Sequence, residues 1–468
     1  MLPMSVAQIA EVVQGDLCRV PDPGTVVAGP AIIDSRQATP GSLFIAFAGQ
    51  HLDGHDFAGT AVAAGAVCVL ASRPVQAPAI VVPDVQRALG QLAAWTIHGM
   101  TGITRICVTG SSGKTSTKDL LEHVLARMGP TVATHGSQNN EIGLPLTVLR
   151  ASHDTRYLVL EMGARGAGHL THLTELVPPD IALVLNVGAA HVGEFGGLEA
   201  TAQAKGELVE ALAPGGVAVL NADDPLVAAM AVRSAAPVLL FGHATEAQFR
   251  AEAVQMDTGG RPHFELHTPD GKASVGLRLL GEHHVANALA AAAVAHTLGM
   301  TTAQIAEALS SAVARTGSRM QLHERADGVT VIDDAYNANP DSVAAALRAL
   351  AAMGLGRRTV AVLGEMGELG DQSAAEHRAA GVLAGQVGTD VVVCIGGRDA
   401  AEMVAGAAQT GAVTHLVPDP AAAESLLRGL LTAGDLVLVK ASLAANLQTL
   451  VQILIAEPRS VTLVADEV

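Results

Sequence analysis

Positive charge and aromatic residues are scarce in this 468-residue chain. Lys and Arg number 28 against 45 Asp and Glu, the formal net charge is -17 at pH 7, and aromatic residues make up 2 % of the chain. Binding to nucleic acid or to an anionic membrane depends on dense Lys and Arg, so we expect neither partner. Any phosphate must be held locally, and the cores must consist of aliphatic residues, as in buried parallel strands covered by helices.

Cysteines and long apolar runs are also few. Cys18, Cys68, Cys107 and Cys394 lie far apart, without the paired spacing of a zinc site or a disulfide framework, which favours the reduced cytoplasm. The segment MLPMSVAQIAEVVQGD lacks a basic stretch followed by a long apolar core, and no run of about 18 uninterrupted apolar residues occurs. We therefore expect no export, no membrane span and a cytoplasmic location.

The length is typical of about three domains, and the alternation of apolar runs with helical stretches predicts an α/β fold. Residues 1–100 are predicted to form a small α/β domain. Residues 101–315 are predicted to hold a central parallel sheet of the P-loop ATPase type, with a small β-hairpin region around Pro269-Asp270-Gly271. Residues 316–468 are predicted to form a doubly wound, Rossmann-like sheet.

The most specific local signal is GSSGKTS (110–116), which follows the apolar run ITRICVTG (103–110) and precedes a helix predicted from Thr117 to Arg127. Glycines let backbone N–H groups close around phosphate oxygens, the lysine reaches the outer phosphates, and the threonine can bind Mg²⁺. The pattern predicts an ATP- or GTP-binding loop, although Val108 replaces the first glycine of the full motif; an ordinary strand-to-helix turn is the alternative. The predicted phosphate-binding residues are Gly110, Ser111, Ser112, Gly113, Lys114, Thr115 and Ser116.

Two polar residues follow neighbouring apolar runs. Glu161 lies in YLVLEMG (157–163), and His191 comes shortly after IALVLNVG (181–188). Both are predicted at the carboxyl edge of the sheet, where ligands of such folds bind. A carboxylate there can ligate Mg²⁺, whereas a solvated strand-end acid and a structural histidine are the alternatives.

Lys205 interrupts the apolar face of a predicted helix and should point inward. A buried ammonium is costly unless it is paired or neutralised, so the lysine either extends its amine to the surface or pairs with an acid such as Glu207 or Glu210. The apolar face of this helix has the i, i+4, i+7 spacing and contains Leu198, Ala202, Lys205, Val209 and Leu212.

The order of these residues resembles the Mur ligases, ATP-dependent amide-bond-forming enzymes that build the stem peptide of bacterial peptidoglycan. The resemblance covers essentially the whole chain, and it includes a phosphate loop without the first glycine. It implies that residues 1–100 bind the UDP-linked substrate, 101–315 bind ATP, and 316–468 bind the incoming amino acid or dipeptide. It further implies ATP and Mg²⁺ as cofactors and a carbamylated Lys205 as a ligand of the metal.

The resemblance also assigns residues to the site. The implied metal ligands are Thr115, Glu161, His191 and the Lys205 carbamate. The implied catalytic residues are Lys114, Glu161, His191, Lys205 and Arg319. Adenine, phosphate and ribose contacts are implied respectively for Asn287, Arg319 and Asp334. The segment DSRQATPGSLFIAFAGQHLDGHDF (34–57) is similar to the uridine-binding segment of the family. The implied substrate-binding residues are Ser35, Arg36, Asp53, His55, Asn139, Asn140, Tyr336, Asn337 and Asn339.

The segment DAYNANPDS (334–342) resembles the member of the family that adds D-alanyl-D-alanine. Relatives that load diaminopimelate carry an Asp-Asn-Pro-Arg motif, which this chain lacks. The implied reaction joins D-alanyl-D-alanine to UDP-N-acetylmuramoyl-tripeptide through an acyl phosphate and gives the pentapeptide precursor, ADP and phosphate, with a monomer expected. A Mur-type tripeptide synthetase and a P-loop kinase or NTPase are the alternatives. Near the C-terminus the family tends to read Val-Lys-Gly-Ser-Arg, whereas this chain has VKASL (439–443).

Overall fold

The computed structural model describes residues 1–49, 52–188 and 197–456. The described elements form three successive α/β units, each built on a mainly parallel sheet, and the α/β fold class is confirmed. The N-terminal unit runs from Met4 to His98, the central unit from Thr104 to Ser311, and the C-terminal unit from Gln321 to Ile455. Among the described residues, no helix is both long and apolar enough to cross a membrane.

The N-terminal unit contains a five-stranded sheet and a short antiparallel ladder. Its strands are β1 (Met4–Ser5), β2 (Asp16–Cys18), β3 (Val26–Val27), β4 (Ala31–Ile32), β5 (Leu43–Ile45), β6 (Cys68–Ala71) and β7 (Ala79–Val81). Its helices are α1 (Val6–Val13), α2 (Ala58–Ala63) and α3 (Val85–His98). The sheet has the order β2-β7-β6-β5-β4, and β1 pairs with β3. Asp84 caps α3 by accepting the Arg87 N–H, and the single tryptophan of the chain, Trp95, lies on this helix with 44 % of its surface exposed.

The central unit is a six-stranded parallel sheet followed by a small antiparallel sheet. The parallel strands are β8 (Thr104–Thr109), β9 (Thr131–Ala133), β10 (Tyr157–Glu161), β11 (Ile181–Val184), β12 (Val217–Asn221) and β13 (Val238–Phe241). The antiparallel strands are β14 (Arg250–Met256), β15 (Pro262–Thr268) and β16 (Gly271–Gly276). The predicted turn at Pro269-Asp270-Gly271 does join two of them, β15 and β16.

Helices cover both faces of the central sheet, whose order is β13-β12-β11-β8-β10-β9. They are α4 (Lys114–Leu125), α5 (Gly143–Val148), α6 (His169–Leu176), α7 (Leu198–Glu210), α8 (Pro225–Ala228), α9 (His284–Thr297) and α10 (Thr302–Ser311). Side chains of β8 alternate between two cores, with Ile106 and Val108 on one face and Cys107 on the other. The phosphate loop thus follows a strand that is buried on both sides.

The C-terminal unit is a second six-stranded sheet, ordered β17-β18-β22-β19-β20-β21, in which only the edge pair β17–β18 is antiparallel among the described ladders. Its strands are β17 (Gln321–Glu324), β18 (Thr330–Asp334), β19 (Thr359–Gly364), β20 (Val391–Ile395), β21 (Val413–Val417) and β22 (Leu436–Lys440). Its helices are α11 (Pro340–Met353), α12 (Ser373–Gln386), α13 (Arg398–Ala408), α14 (Pro420–Leu430) and α15 (Gln448–Ile455). Separate apolar cores fill the two faces of this sheet.

Helices α12 and α13 approach each other closely at glycines. A Cβ atom on Gly381 would lie 1.9 Å from the carbonyl oxygen of Met403, and one on Gly406 would lie 2.2 Å from that of Arg378. Since both obstacles are backbone atoms, a side chain would force the helices apart. We expect Gly381→Ala to lower the free energy of unfolding by about 1–3 kcal/mol, as in an overpacked core, when urea denaturation is followed by circular dichroism.

The matched control is Gly429→Ala on α14, where a Cβ atom would have no neighbour within 4 Å among the described residues. Alanine favours helix over glycine by up to about 1 kcal/mol, so this variant should be as stable as the wild type or slightly more so. Equal stability of the Gly381 and Gly429 variants would contradict the close helix contact.

Candidate active site

The phosphate loop lies at the carboxyl end of β8, against the end of β11. The backbone N–H of Ser112 donates to Oδ1 of Asn186 at 2.9 Å, and the hydroxyl of Ser111 lies 3.2 Å from the carbonyl oxygen of Gly188. Gly113 has a φ of 78°, and a Cβ atom there would lie 2.7 Å from Oδ1 of Asn287. The loop therefore needs glycine at this position, as a backbone cradle for phosphate does.

Lys114 is the first residue of α4, so the predicted helix start at Thr117 was wrong by three residues. The polar first turn hides the beginning of this helix from an apolar pattern. The Nζ of Lys114 donates to the carbonyl oxygen of Gly110 at 2.6 Å, and the residue is half-buried. Lys114 therefore belongs to the fixed first turn of α4.

Arg319 approaches the phosphate loop from the C-terminal unit. Burial lowers the pKa of Lys114, the Glu161 carboxylate opposes that shift, and the positive charge of Arg319 adds to it. The guanidinium carbon of Arg319 lies 4.5 Å from the centroid of the Tyr336 ring, and its buried Nε has no hydrogen-bond partner among the described residues. Two cations thus face one space, which is suited to a polyanion such as a nucleotide phosphate chain.

Glu161 is buried next to the phosphate loop. Its Oε2 accepts a hydrogen bond from the hydroxyl of Thr115 at 2.8 Å, and its Oε1 accepts one from Nδ2 of Asn139 at 2.7 Å. A buried carboxylate beside a threonine hydroxyl offers the hard oxygen ligands that Mg²⁺ prefers. The residues present therefore fit the implied metal, and the structure places Glu161 beside Thr115. Asn140 does not share the contact that Asn139 makes with Glu161. Its Oδ1 accepts a hydrogen bond from the N–H of Gly143 at the start of α5.

Lys205 points into the protein, as its helical spacing predicted, with 1 % of its surface exposed. Burial lowers its pKa to about 7, and the positive charge of Lys114 acts in the same direction. The two acids considered as partners bind elsewhere, since Glu207 accepts the N–H of Gly168 and Glu210 pairs with Arg233. His191, the remaining metal candidate, lies outside the described residues.

Asp334 and Lys440 meet at the carboxyl edge of the C-terminal sheet. The Nζ of Lys440 lies 2.7 Å from Oδ2 of Asp334 and donates to the carbonyl oxygen of Asn337 at 2.6 Å. Burial raises the pKa of Asp334, and Lys440 opposes that shift. Lys440 therefore holds the YNANP segment (336–340) in place. The hydroxyl of Ser442 donates a hydrogen bond to the carbonyl oxygen of Glu365.

Tyr336 and Asn339 of the YNANP segment make different contacts. The hydroxyl of Tyr336 contacts that of Ser137 in the central unit, which joins the two units across the site. Asn339 instead caps α11, since its Oδ1 accepts the N–H of Ser342 at 2.8 Å. The capping pattern Asn-Pro-Asp-Ser is readable in the sequence, but the resemblance had assigned this asparagine to the substrate.

An apolar cavity of about 110 Å³ adjoins the phosphate loop. It extends from Ser116 on α4 to Arg319 and is walled by Leu120, Leu279 and Leu280. His284 lines the same cavity, and its ring contacts that of His283 with centroids 4.3 Å apart and an angle of 38° between the ring planes. The sequence did not point to His283 and His284, although both precede the predicted adenine contact Asn287 in the segment GEHHVANALAA (281–291).

Asn287, the predicted adenine contact, lies on α9 between this cavity and the phosphate loop. Its Nδ2 is 3.4 Å from Nδ1 of His284, and its Oδ1 faces Gly113. Burial lowers the pKa of both His283, to about 4, and His284, so both rings are uncharged at neutral pH. The part of the cavity wall that His284 forms is therefore uncharged, which suits an aromatic base.

The N-terminal candidates form a separate hydrogen-bonded cluster. Nδ1 of His55 lies 2.6 Å from Oδ1 of Asp53, while its Nε2 accepts the N–H of Ser72 at 3.0 Å. Arg73 donates to the other oxygen of Asp53 at 2.8 Å and, with His55, holds the pKa of Asp53 well below its usual range. Arg73 was missed because its only sequence signal is its position after a buried strand.

The remaining two candidates lie on a short exposed turn. Ser35 begins a single 3₁₀ turn, and the neighbouring Arg36 forms an ion pair with Asp34 at 2.7 Å. The Arg36 side chain is 88 % exposed, so it is accessible to a ligand.

Comparison with known proteins agrees with this geometry. Three family models match in succession: the Mur ligase family catalytic domain over residues 32–96, the Mur ligase middle domain over residues 108–295, and the Mur ligase glutamate ligase domain over residues 318–443. The chain is 46 % identical to a Mycobacterium tuberculosis protein, with 98 % of each chain covered. It therefore belongs to the Mur ligase family and is an enzyme of the ligase class.

The particular relatives agree with one another. The Mycobacterium tuberculosis protein is UDP-N-acetylmuramoyl-tripeptide--D-alanyl-D-alanine ligase, and the Escherichia coli enzyme of that name is 37 % identical, over 85 % of this chain and 86 % of its own. The structure of MurF from Acinetobacter baumannii superposes with a TM-score of 0.85 at 32 % identity and covers 97 % of this chain and 99 % of its own. MurF ligase from Thermotoga maritima, in complex with ADP, has a TM-score of 0.77 at 29 % identity, with coverage of 91 % and 97 %.

Proposed function

We propose that this chain joins D-alanyl-D-alanine to UDP-N-acetylmuramoyl-tripeptide at the expense of ATP, giving the UDP-linked pentapeptide precursor of peptidoglycan, ADP and phosphate. One arrangement carries the proposal. Lys114 and Arg319 face the same space beside the buried pair of Thr115 and Glu161, and Tyr336 of the YNANP segment borders that space. The full-length relatives carry the name of this reaction.

The chemistry has two steps. A carboxylate oxygen of the tripeptide attacks the γ-phosphorus of ATP, the bond to the β,γ-bridging oxygen breaks, and ADP leaves. The dipeptide nitrogen then attacks the carbonyl carbon of the acyl phosphate, loses a proton, and expels phosphate. Lys114 and Arg319 offset the negative charge of the transferring phosphoryl group. Bound Mg²⁺ would supply further charge neutralisation, held by Thr115, Glu161 and Lys205 as its carbamate, with His191 assisting.

Carbamylation of Lys205 is supported by its surroundings. The uncharged amine attacks the carbon of CO₂, a C–N bond forms as one C=O π bond opens, and an N–H proton is released, so the neutral amine becomes an anionic carbamate with two ligand oxygens. Burial beside the positive charge of Lys114 disfavours the ammonium form, and the nearby Mg²⁺ site favours an anion.

The substrate assignments follow the three units. Residues 1–100 would bind the UDP-linked substrate, 101–315 ATP, and 316–468 the dipeptide, in a monomeric enzyme of the cytoplasm, where ATP is available. The residues proposed to contact the UDP-linked substrate or the dipeptide are Ser35, Arg36, Asp53, His55, Asn139, Asn140, Tyr336, Asn337 and Asn339. Asn287 would contact adenine and Asp334 the ribose.

We expect phosphate release to require both UDP-N-acetylmuramoyl-tripeptide and D-alanyl-D-alanine. The YNANP segment replaces the Asp-Asn-Pro-Arg motif of diaminopimelate-loading relatives, so diaminopimelate, lysine and glutamate should give little release. A coupled phosphate assay, with the product identified by mass spectrometry, measures both requirements.

Efficient ligation of a single amino acid to a UDP-muramoyl dipeptide would instead identify a tripeptide synthetase. Phosphate release that is independent of the dipeptide would favour an NTPase, and a phosphorylated product without an amide bond would favour a kinase.

A further inference from the structure

The backbone around Arg319 has an unusual conformation. Ser318 and Met320, which flank the arginine, have φ angles of 55° and 51°, in the left-handed region that side chains other than glycine rarely adopt. Such strain persists only where surrounding contacts hold it. Surrounding contacts therefore hold the segment 316–320, and they fix the backbone on both sides of Arg319.

Hydrogen bonds to both neighbouring units hold this segment, and one of them runs from the N–H of Tyr336 to the carbonyl oxygen of Ser318 at 3.3 Å. The hydroxyl of Ser318 donates to Oδ2 of Asp333 at 2.8 Å, and the N–H of Met320 donates to Oδ1 of Asp334 at 3.2 Å. Both acceptors belong to β18 of the C-terminal unit. The N–H of Thr316 donates to Oδ2 of Asp119 at 3.2 Å. Asp119 is thus the acceptor that ties the arginine segment to the central unit.

Asp119 is well placed to act as a fixed acceptor. It lies on α4, the helix that begins with Lys114, and it is 9 % exposed. Its Oδ1 pairs with Lys118, which is 2 % exposed. The carboxylate therefore has a buried counter-charge on one oxygen and the Thr316 N–H on the other, and it lines the cavity beside the phosphate loop.

We propose that Asp119 is a positioning residue for Arg319. One rigid helix carries Lys114 at its first residue and Asp119 in its second turn, and only two residues separate the Asp119-bound Thr316 from Arg319. The distance between the two phosphate-facing cations is therefore set by the Asp119–Thr316 hydrogen bond. The inference rests on the proposed function, because it assumes that Arg319 meets the phosphates held by Lys114.

The neighbouring Arg315–Glu122 ion pair provides a matched control. It joins the same helix to the same segment at 3.1 Å, but the Arg315 side chain is 46 % exposed. Exposed pairs contribute little, so Glu122→Gln should keep kcat and the KM for ATP within about twofold of the wild-type values. Asp119→Ala should lower kcat/KM for ATP about tenfold or more, as expected when a charged acceptor is lost. Asp119→Asn keeps an acceptor for the Thr316 N–H and should recover a large part of that loss.

A double-mutant cycle separates positioning from simple destabilisation. If Asp119 acts through Arg319, Asp119→Ala should have almost no further effect on kcat in an Arg319→Ala background. Asp119→Ala also leaves the buried Lys118 ammonium without this counter-charge, so the melting temperature should fall in both backgrounds, whereas the loss of kcat should occur only where Arg319 is present. A full, additive loss in the Arg319→Ala background would overturn the proposal, and so would unchanged kinetics of Asp119→Ala.

ATP affinity measured by calorimetry gives a second readout that does not need ligation. Asp119→Ala should weaken ATP binding in the wild-type background and leave it unchanged in the Arg319→Ala background. If the wild type binds ATP and the cycle is non-additive while no amide product forms, the proposed ligation fails and the positioning role stands. If ligation proceeds and the cycle is additive, the positioning role alone fails.

Discussion

Lys114→Ala is expected to lower the ligation rate by about 1000-fold, the effect of removing a principal donor to a developing charge. Lys114 shares its space with Arg319 and Glu161, and no other lysine occupies the start of α4. The loss should appear in kcat more than in the affinity for UDP-N-acetylmuramoyl-tripeptide, since the proposed contacts Ser35, Arg36, Asp53 and His55 lie in the N-terminal unit. Steady-state phosphate release and calorimetric binding of the UDP-linked substrate measure the two quantities.

The fold should survive this change, because Lys114 packs in none of the apolar cores of the described residues. Lys272→Ala is a matched control, since Lys272 lies on β16 with 62 % of its side chain exposed and pairs with Glu265. Near-normal turnover by the Lys114 variant would remove the phosphate-loop interpretation altogether.

Lys205→Ala is expected to lower activity by about 100-fold, the scale of effect seen when the support of a metal site is lost. Acetate or formate added at high concentration should restore part of the rate, because a small carboxylate can occupy the space of the lost carbamate. The measurement is phosphate release at increasing acetate, with chloride at the same ionic strength as the reference.

The matched variant is Lys205→Met, which fills the same buried space with an apolar side chain. It should fold, remain as inactive as the alanine variant, and show no response to acetate. Mass spectrometry of the native wild type should show a mass increase equal to one CO₂. Full activity of either variant, or equal rescue of both, would return Lys205 to a purely structural role.

The order of the elements was predictable because each buried strand has its own apolar run. The runs that contain β8, β10, β18 and β22 stand out in the sequence, and the structure places each of them inside its sheet, with a strand on either side. Helix starts were harder to predict where the first turn is polar. In α4 the apolar periodicity begins only with Leu120 and Leu121, which concealed the true beginning at Lys114.

Within the site, the sequence predicted side chains on regular elements better than contacts between units. Helical spacing was enough to bury Lys205, and a strand end was enough to bring Glu161 to the phosphate loop. The left-handed backbone at Ser318 and Met320 could not be predicted, because neither residue is a glycine. The Asp119–Thr316 hydrogen bond joins residues 197 positions apart. Both depend on how the C-terminal unit packs against the central unit, which no local pattern records.

The single tryptophan of the chain lies on α3, so tryptophan fluorescence reports the surroundings of one residue. Trp95 belongs to the N-terminal unit, and its helix contacts α5 and α6 of the central unit. The tryptophan emission will therefore change when the contacts of α3 with α5 and α6 are lost. It will not change when α12 and α13 separate in the C-terminal unit. A denaturation curve recorded by fluorescence and one recorded by circular dichroism can consequently differ in midpoint, and the gap between them would measure how independently the units unfold.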